Sequence, residues 1–334
     1  MTTFFLGGYG EESLCRVQLE GSRLTVLSRY PVKNASYICF GPDRRTLYAV
    51  GETQRFLGEE SGSVHAFSLE ADGTLKQISV KPSGGADPCH IAVAGGLLLV
   101  SNYTSGSLAR FHLEADGSLG EALPLISPQG RGPNRQRQEH AHVHQAQAVP
   151  GNWIAFVDLG TDAVRFLPLP EADAPAPHLT EVHTPAGYGP RHAVFPASGD
   201  AWYLLCELSS QLLVYRGDPG DARLVARLPV GEGDAPDYPA ALRLSPDGRL
   251  LAATGRGQNV VSLFRITDSG LPVKLAEAQS GGDWPRDVQF TPDGQRLICA
   301  NERGDSLTLF DLEGGRLRMA GRLSTPAPTC ILFE

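Results

Sequence analysis

The chain has 334 residues, 41% of them hydrophobic, with 38 glycines, 25 prolines and a formal net charge of −8. An acidic balance without long like-charged runs argues against a nucleic-acid or membrane-surface partner, and the glycine content suits a turn-rich β protein with an ample core. The six cysteines are dispersed with no CxxC pair, so they read as reduced core thiols and the compartment as the cytoplasm.

The first eight residues, Met1 to Gly8, carry no basic leader and only a three-residue apolar run, so neither a signal peptide nor a membrane span is expected. Strand-like stretches follow at 4–8, 14–19 and 24–30. From there a unit recurs. Its apolar anchors are Phe40, Val93, Ala148, Phe195, Leu244, Phe290 and Phe333, spaced by 53, 55, 47, 49, 46 and 43 residues. A first strand ends near each anchor, as at 240–244 and 286–290. A turn such as Pro246-Asp247-Gly248 or Pro292-Asp293-Gly294 leads to an apolar second strand at 250–254 or 297–301. The third strand alternates, as at 63–69 and 107–113, and Asp72-Gly73 or Asp116-Gly117 turns it into a fourth.

A strand-rich repeat of this period is the signature of a β-propeller. The last anchor, Phe333, has no room after it for three more strands, whereas the first three strands lack an initial one. Joining them makes a seventh blade from both chain ends. The expected fold is therefore all-β, one seven-bladed β-propeller domain over residues 1–334, closed by N-terminal strands and a C-terminal strand in one blade.

In such a blade the start of the first strand and the end of the second lie on the same face. Residues four before an anchor then neighbour residues about twelve after one. The first set contains His144, Arg191 and Arg286; the second contains Glu52, Glu207, Arg256 and Glu302. Shorter turns put Asn102, Tyr103 and Asp158 in corresponding places. Charged residues at equivalent positions of several blades point to a site, although such residues also pair as solvated salt bridges. His192 is expected inside a blade, and His65, His112, His178 and His183 at the surface.

In the segment 140–144, alternation would place His140, His142 and His144 on one face. Three histidines match the ligand number of zinc sites with an open fourth position, but the same spacing serves acid–base and anion-binding roles, and no metal is assigned. The preceding segment 127–139 carries Arg131, Arg135 and Arg137 and is read either as a solvated loop or as a lid that brings positive charge to an anionic substrate. P-loop, dinucleotide and nucleophile-elbow motifs are absent from the sequence, and no cofactor is expected.

Several segments carry a resemblance that runs nearly end to end. They are Asp87-Pro88-Cys89-His90, Ser101-Asn102-Tyr103 with Gly106-Ser107, the run Arg137-Gln138-Glu139-His140-Ala141-His142-Val143-His144, and Asp158-Leu159-Gly160-Thr161-Asp162. Further along stand Gly189-Pro190-Arg191-His192, Glu207-Leu208-Ser209-Ser210-Gln211, Gly282-Asp283-Trp284-Pro285-Arg286-Asp287, Ala300-Asn301-Glu302 and Pro328-Thr329-Cys330-Ile331. On these the chain resembles the seven-bladed lactonase family, which includes propeller-type bacterial 6-phosphogluconolactonases and fungal carboxy-muconate cycloisomerases. The resemblance implies a catalytic set of His142 or His144, Arg191, Glu207 and Arg256. Two departures stand out: Ala141 replaces a frequent proline, and Thr254-Gly255 precedes Arg256 where Ser-Asn is frequent.

The implied reaction is hydrolysis of a small anionic sugar lactone, most simply 6-phosphogluconolactone. Glu207 or a histidine would act as base and Arg191 and Arg256 would face the oxyanion. Arg286, Arg135 or Arg137 would hold a phosphate or carboxylate, with Asn102, Tyr103 and Glu302 also against substrate. The protein would be a monomer or weak homo-oligomer. Three alternatives remain: a cycloisomerase acting on a muconate-type lactone, a non-catalytic propeller that binds a partner, and a calcium site built from Glu52, Asn102, Asp158 and Glu302.

Overall fold

A computed structural model describes residues 2–334; Met1, the first residue of the expected leaderless start, lies outside them. Among the described residues, 28 strands form seven four-stranded sheets, and the one helical turn is Leu169–Glu171. No helix among them is long and apolar enough to cross a membrane. Six sheets take four strands consecutive in sequence. The seventh takes Pro328–Phe333, Thr2–Gly8, Leu14–Glu20 and Arg23–Tyr30 in that order.

Residues 2–29 and 191–334 make one compact unit, containing the mixed-terminus sheet and the three sheets from Pro190 onward. Its cores lie between successive sheets. Tyr203, Leu205 and Val214 meet Leu242, Leu251 and Phe264, while Val261 and Leu263 meet Val288, Leu297 and Phe310. Ile298 and Leu309 meet Phe4, Leu6 and Val17. Residues 30–190 make the second unit, of three sheets. There Tyr48, Val50 and Val64 pack on Ile91, Val100 and Phe111, and Leu99 and Leu108 pack on Val143, Ala146 and Phe156. A sheet flanked on both sides within its unit thus buries both faces, which its nearly continuous apolar second strand requires.

The sheet shared by the two ends is held by backbone and side chain alike. Phe4 lies opposite Phe333 and Leu6 opposite Ile331, with the two phenyl centroids 5.3 Å apart. Arg16 Nε reaches Glu334 Oε1 at 2.6 Å.

Six of the seven anchors fall inside the closing residues of a first strand, and Phe195 falls one residue beyond Pro190–Val194. Five of those strands open with proline: Pro88, Pro190, Pro239, Pro285 and Pro328. Proline lacks the N–H that an interior ladder position needs, so the first residue of a strand suits it. Just after these starts the register shifts, between Pro88 and His90, Pro239 and Leu242, and Pro285 and Asp287; the same occurs between Val143 and Gln145. These are bulges, which re-aim the extra residue. Cys89, His144 and Arg286 are such residues, each four before its anchor.

The turns form for the reason their composition suggests. Asp247 Oδ1 accepts from the Arg249 N–H at 3.1 Å and from Ser245 Oγ at 2.6 Å, and Asp293 repeats both bonds with Gln295 and Thr291. Hydrogen bonding to Ser245 and to Thr291 holds the two carboxyls below the usual range.

All six cysteines are free, and five are buried. His192 is buried as expected, and His178 and His183 are exposed. His65 and His112 are not surface side chains as expected but half-buried. His65 points back along its sheet, with Nε2 2.9 Å from Ser63 Oγ, and burial holds its imidazole pKa below the ordinary 6.5.

Candidate active site

In the unit that includes 191–334, Glu207 follows the strand Trp202–Cys206 and is 3% exposed. Its Oε2 lies 3.0 Å from Arg191 Nε, an ion-pair contact, and 2.6 Å from Arg256 Nη2. Arg191 and Arg256 are themselves buried. Each guanidinium is also fixed by backbone: Arg191 Nη1 donates to the Ala240 carbonyl, and Arg256 Nε donates to the Tyr238 carbonyl at 2.8 Å. Three of the four positions implied by the resemblance therefore form one buried cluster. Two guanidinium groups on one carboxylate leave a surplus positive charge out of water, where its field is strong.

Asp287 lies near this cluster, fully buried, with Oδ1 2.8 Å from Arg243 Nη2 and Oδ2 accepting from the Ile331 N–H at 2.9 Å. Burial pushes its carboxyl pKa up, while Arg243 and, further off, Arg191 pull it down. Arg286 pairs with Glu302 at 3.1 Å, and its Cζ lies 5.2 Å from the Tyr9 ring centroid. The two residues expected to touch substrate there thus hold each other.

Trp284 belongs to a segment that carries the resemblance, yet the sequence assigned it no role. Its ring meets two cations, with Arg303 Cζ 3.5 Å and Arg256 Cζ 5.3 Å from the centroid. Its φ is +61°, rare for a bulky residue, and its N–H donates to Asn259 Oδ1 at 2.8 Å. Its position immediately before Pro285 gave no signal of this, because proline steers the preceding residue toward extended backbone with negative φ.

The unit of residues 30–190 carries the second cluster. The chain bends at His140 and leads through 141–142 into the strand Val143–Val149. Gly160 lies so close to the His140 carbonyl and the His142 N–H that a Cβ would collide with both, and Gly106 is pressed likewise against Ala141. Asp158 fastens the segment: Oδ1 accepts from the N–H groups of His142 at 2.8 Å and Gly160 at 3.0 Å, and Oδ2 meets Arg165 Nη1 at 2.7 Å. With Thr161 Oγ1 also donating to Oδ2 at 2.6 Å, Asp158 is spent on the turn and does not serve the calcium alternative.

His142 is buried, its Nδ1 3.0 Å from the Tyr103 carbonyl oxygen and its ring stacked on Tyr103 with centroids 4.6 Å apart. His144, also buried, meets the Tyr103 ring edge-on at 5.6 Å. The extended run on which that alternation depends begins only at Val143, with His144 as its bulge residue, so the alternation does not continue through all three histidines. His140 and His142 come together with Glu139 instead. Glu139 is the residue that the alternation pattern overlooked.

Arg137 Nη2 donates to the Tyr103 hydroxyl at 3.2 Å, and Arg135 is exposed. The segment before the histidines is no loose loop. Gln138 is fully buried, and its Nε2 donates to the Leu159 carbonyl at 2.9 Å. Arg131, Arg135 and Glu139 line a cleft of ≈ 570 Å³ beside it. Asn102 is fully buried, and its amide donates to the Ser83 carbonyl and to Ser107 Oγ, both at 3.2 Å. Asn301 does the same with Ser280 and Thr308, so this amide is a recurring brace between strands. Glu52 lies beside Asn34, whose Nδ2 donates to its carbonyl at 3.0 Å.

Comparison with known proteins agrees with this architecture. Residues 3–333 match the family model described as "Lactonase, 7-bladed beta-propeller". A Bacillus subtilis protein named 6-phosphogluconolactonase is 30% identical over 315 residues, covering 90% of this chain and 87% of its own. One of the same name from Formosa agariphila is 30% identical over 305 residues, covering 85% and 84%. Among solved structures, the periplasmic gluconolactonase of Pseudomonas aeruginosa superposes with a TM-score of 0.92 at 29% identity, over 99% of this chain and 98% of that one. Seven four-stranded sheets, a sheet shared by both ends and a match over almost the whole sequence lead to one assignment: the chain belongs to the seven-bladed β-propeller lactonase family.

Proposed function

We propose that this protein hydrolyses a sugar-acid lactone, 6-phosphogluconolactone in the first instance, to the open-chain acid. The observation that carries the proposal is Glu207 buried between Arg191 and Arg256. The names of the two curated relatives support the substrate.

In the reaction, a water oxygen attacks the lactone carbonyl carbon and gives its proton to the base, which we assign to Glu207. The carbonyl oxygen becomes an oxyanion, and the guanidinium groups of Arg191 and Arg256 stabilise it because they are already fixed by the Ala240 and Tyr238 carbonyls. Collapse of the tetrahedral intermediate breaks the ring C–O bond, and the proton passes to the departing ring oxygen. His142 and His144 stay in the proposal as the competing base, tested by their own substitutions. Arg286 is assigned to the phosphate, which must share or displace its contact with Glu302. Six free thiols favour a reducing compartment, and we place the protein in the cytoplasm.

The test is acid release in a pH-stat from freshly made 6-phosphogluconolactone, with gluconolactone and muconolactone alongside. Fast hydrolysis of the phosphorylated lactone, lost in an Arg191→Ala or Glu207→Ala variant that still folds, is expected. Full activity in both variants would remove this site from consideration. Turnover of muconolactone alone would favour the cycloisomerase.

A further inference from the structure

Glu139, His140 and His142 offer one ligand atom each, all within 4.8 Å of one another. Glu139 Oε1 lies 3.2 Å from His142 Nε2 and 3.6 Å from His140 Nε2. Donors about 2.0–2.1 Å from a tetrahedral ion stand roughly 3.3 Å apart, so these two edges already have nearly the length that a zinc-sized ion demands.

The imidazoles are also set in the required tautomer. His142 Nδ1 is 3.0 Å from the Tyr103 carbonyl oxygen and His140 Nδ1 is 2.7 Å from the Ala141 carbonyl oxygen. A carbonyl can only accept, so each Nδ1 carries a proton, and in the neutral imidazole the Nε2 lone pair is left toward Glu139; an ion would take the place of any proton that Nε2 shares with that carboxylate. A ligand histidine oriented by a carbonyl at its other nitrogen is the usual outer support of a metal site. His142 is held further by its stack on Tyr103, and its backbone by Asp158 and by the close approach of Gly160. Of the cations around the cluster, Arg137 donates to the Tyr103 hydroxyl, and Arg131 and Arg135 line the cleft with Glu139, whose carboxylate offsets part of their field.

We propose that Glu139, His140 and His142 bind a divalent transition-metal ion of the zinc type. Two imidazole nitrogens and one carboxylate oxygen suit such an ion better than magnesium or calcium, which take oxygen ligands. The three donors leave a fourth position for water or a ligand. The ion would tie the end of the arginine-bearing segment to the start of the strand Val143–Val149.

The site shares His142 with the hydrolytic proposal, but its test does not depend on that reading, because binding is read as heat and a chain without lactonase activity would give the same titration. The full chain, stripped with chelator, is titrated with zinc chloride by calorimetry at neutral pH. About one ion per chain is expected, with the dissociation constant raised at least about tenfold in Glu139→Gln and in His140→Gln. Both residues are exposed, so the variants should keep the wild-type melting temperature without zinc, and zinc should raise it only in the wild type. No saturable heat in the wild type overturns the proposal. So does unchanged affinity in both variants, which would place the zinc elsewhere.

Discussion

Arg191 and Glu207 stand sixteen positions apart in sequence and 3.0 Å apart in space. Arg286 and Glu302 repeat the spacing and meet at 3.1 Å. The recurrence follows from the blade: the start of its first strand and the exit of its second are adjacent, so a fixed interval becomes a fixed contact. The first pair takes in a third charged member, Arg256, and is almost wholly buried, whereas the second is only part-buried.

Glu207→Gln keeps the shape of the side chain and removes its charge. Hydrolysis should fall by about a hundredfold or more, since a proton acceptor in the transition state contributes that much. Stability should fall too, because removing one partner of a buried ion pair costs about 3–5 kcal/mol. Turnover and a denaturant midpoint measured on the same sample check both.

Arg256→Lys keeps the charge and loses the fork. Nε and Nη2 of Arg256 go to two different acceptors, the Tyr238 carbonyl and Glu207, and an ammonium cannot hold both in that geometry. Turnover should drop about a hundredfold, as on loss of a preorganised oxyanion donor. Near wild-type turnover in the lysine variant would count against an oxyanion role for the guanidinium.

His65 supplies a pH dependence of stability. Burial lowers its folded-state pKa below the ordinary 6.5, so below that pH the unfolded chain binds more protons than the folded one. Stability is therefore fully present above the unfolded pKa, and it is lost as pH falls toward the folded one. Denaturant unfolding at several values between about pH 7 and pH 5 should show this decline, and His65→Gln should flatten it.

Gly160→Ala tests the support of the histidine segment. The added methyl meets the His140 carbonyl and the His142 N–H, both backbone and unable to yield cheaply. A loss of about 1–3 kcal/mol is expected, as for overpacking elsewhere. Urea midpoints for the variant and the wild type decide it.

The sequence made the blades legible because its turns and anchors are local. The stretch predicted at 63–69 is the strand Ser63–Leu69, and that at 107–113 is Ser107–Leu113. Even the shared sheet could be read, from three strands at one end and a single one at the other. The bulges could not. One extra residue after the strand start decides where His144 and Arg286 point, and strict alternation cannot register it. Thus alternation puts the three histidines on one face, while Glu139, outside that pattern, completes the cluster. Trp284 escaped assignment for a related reason: its place depends on a positive φ and on two arginines distant from each other in sequence.

The strand Pro328–Phe333 is made more than three hundred residues after its neighbour Thr2–Gly8. Throughout synthesis the earlier strand has one unmatched edge, rich in phenylalanine and open to the wrong partner. Contacts so distant along the chain form late. Maturation of this protein should therefore hinge on a single belated zipper, formed only once the last strand is made.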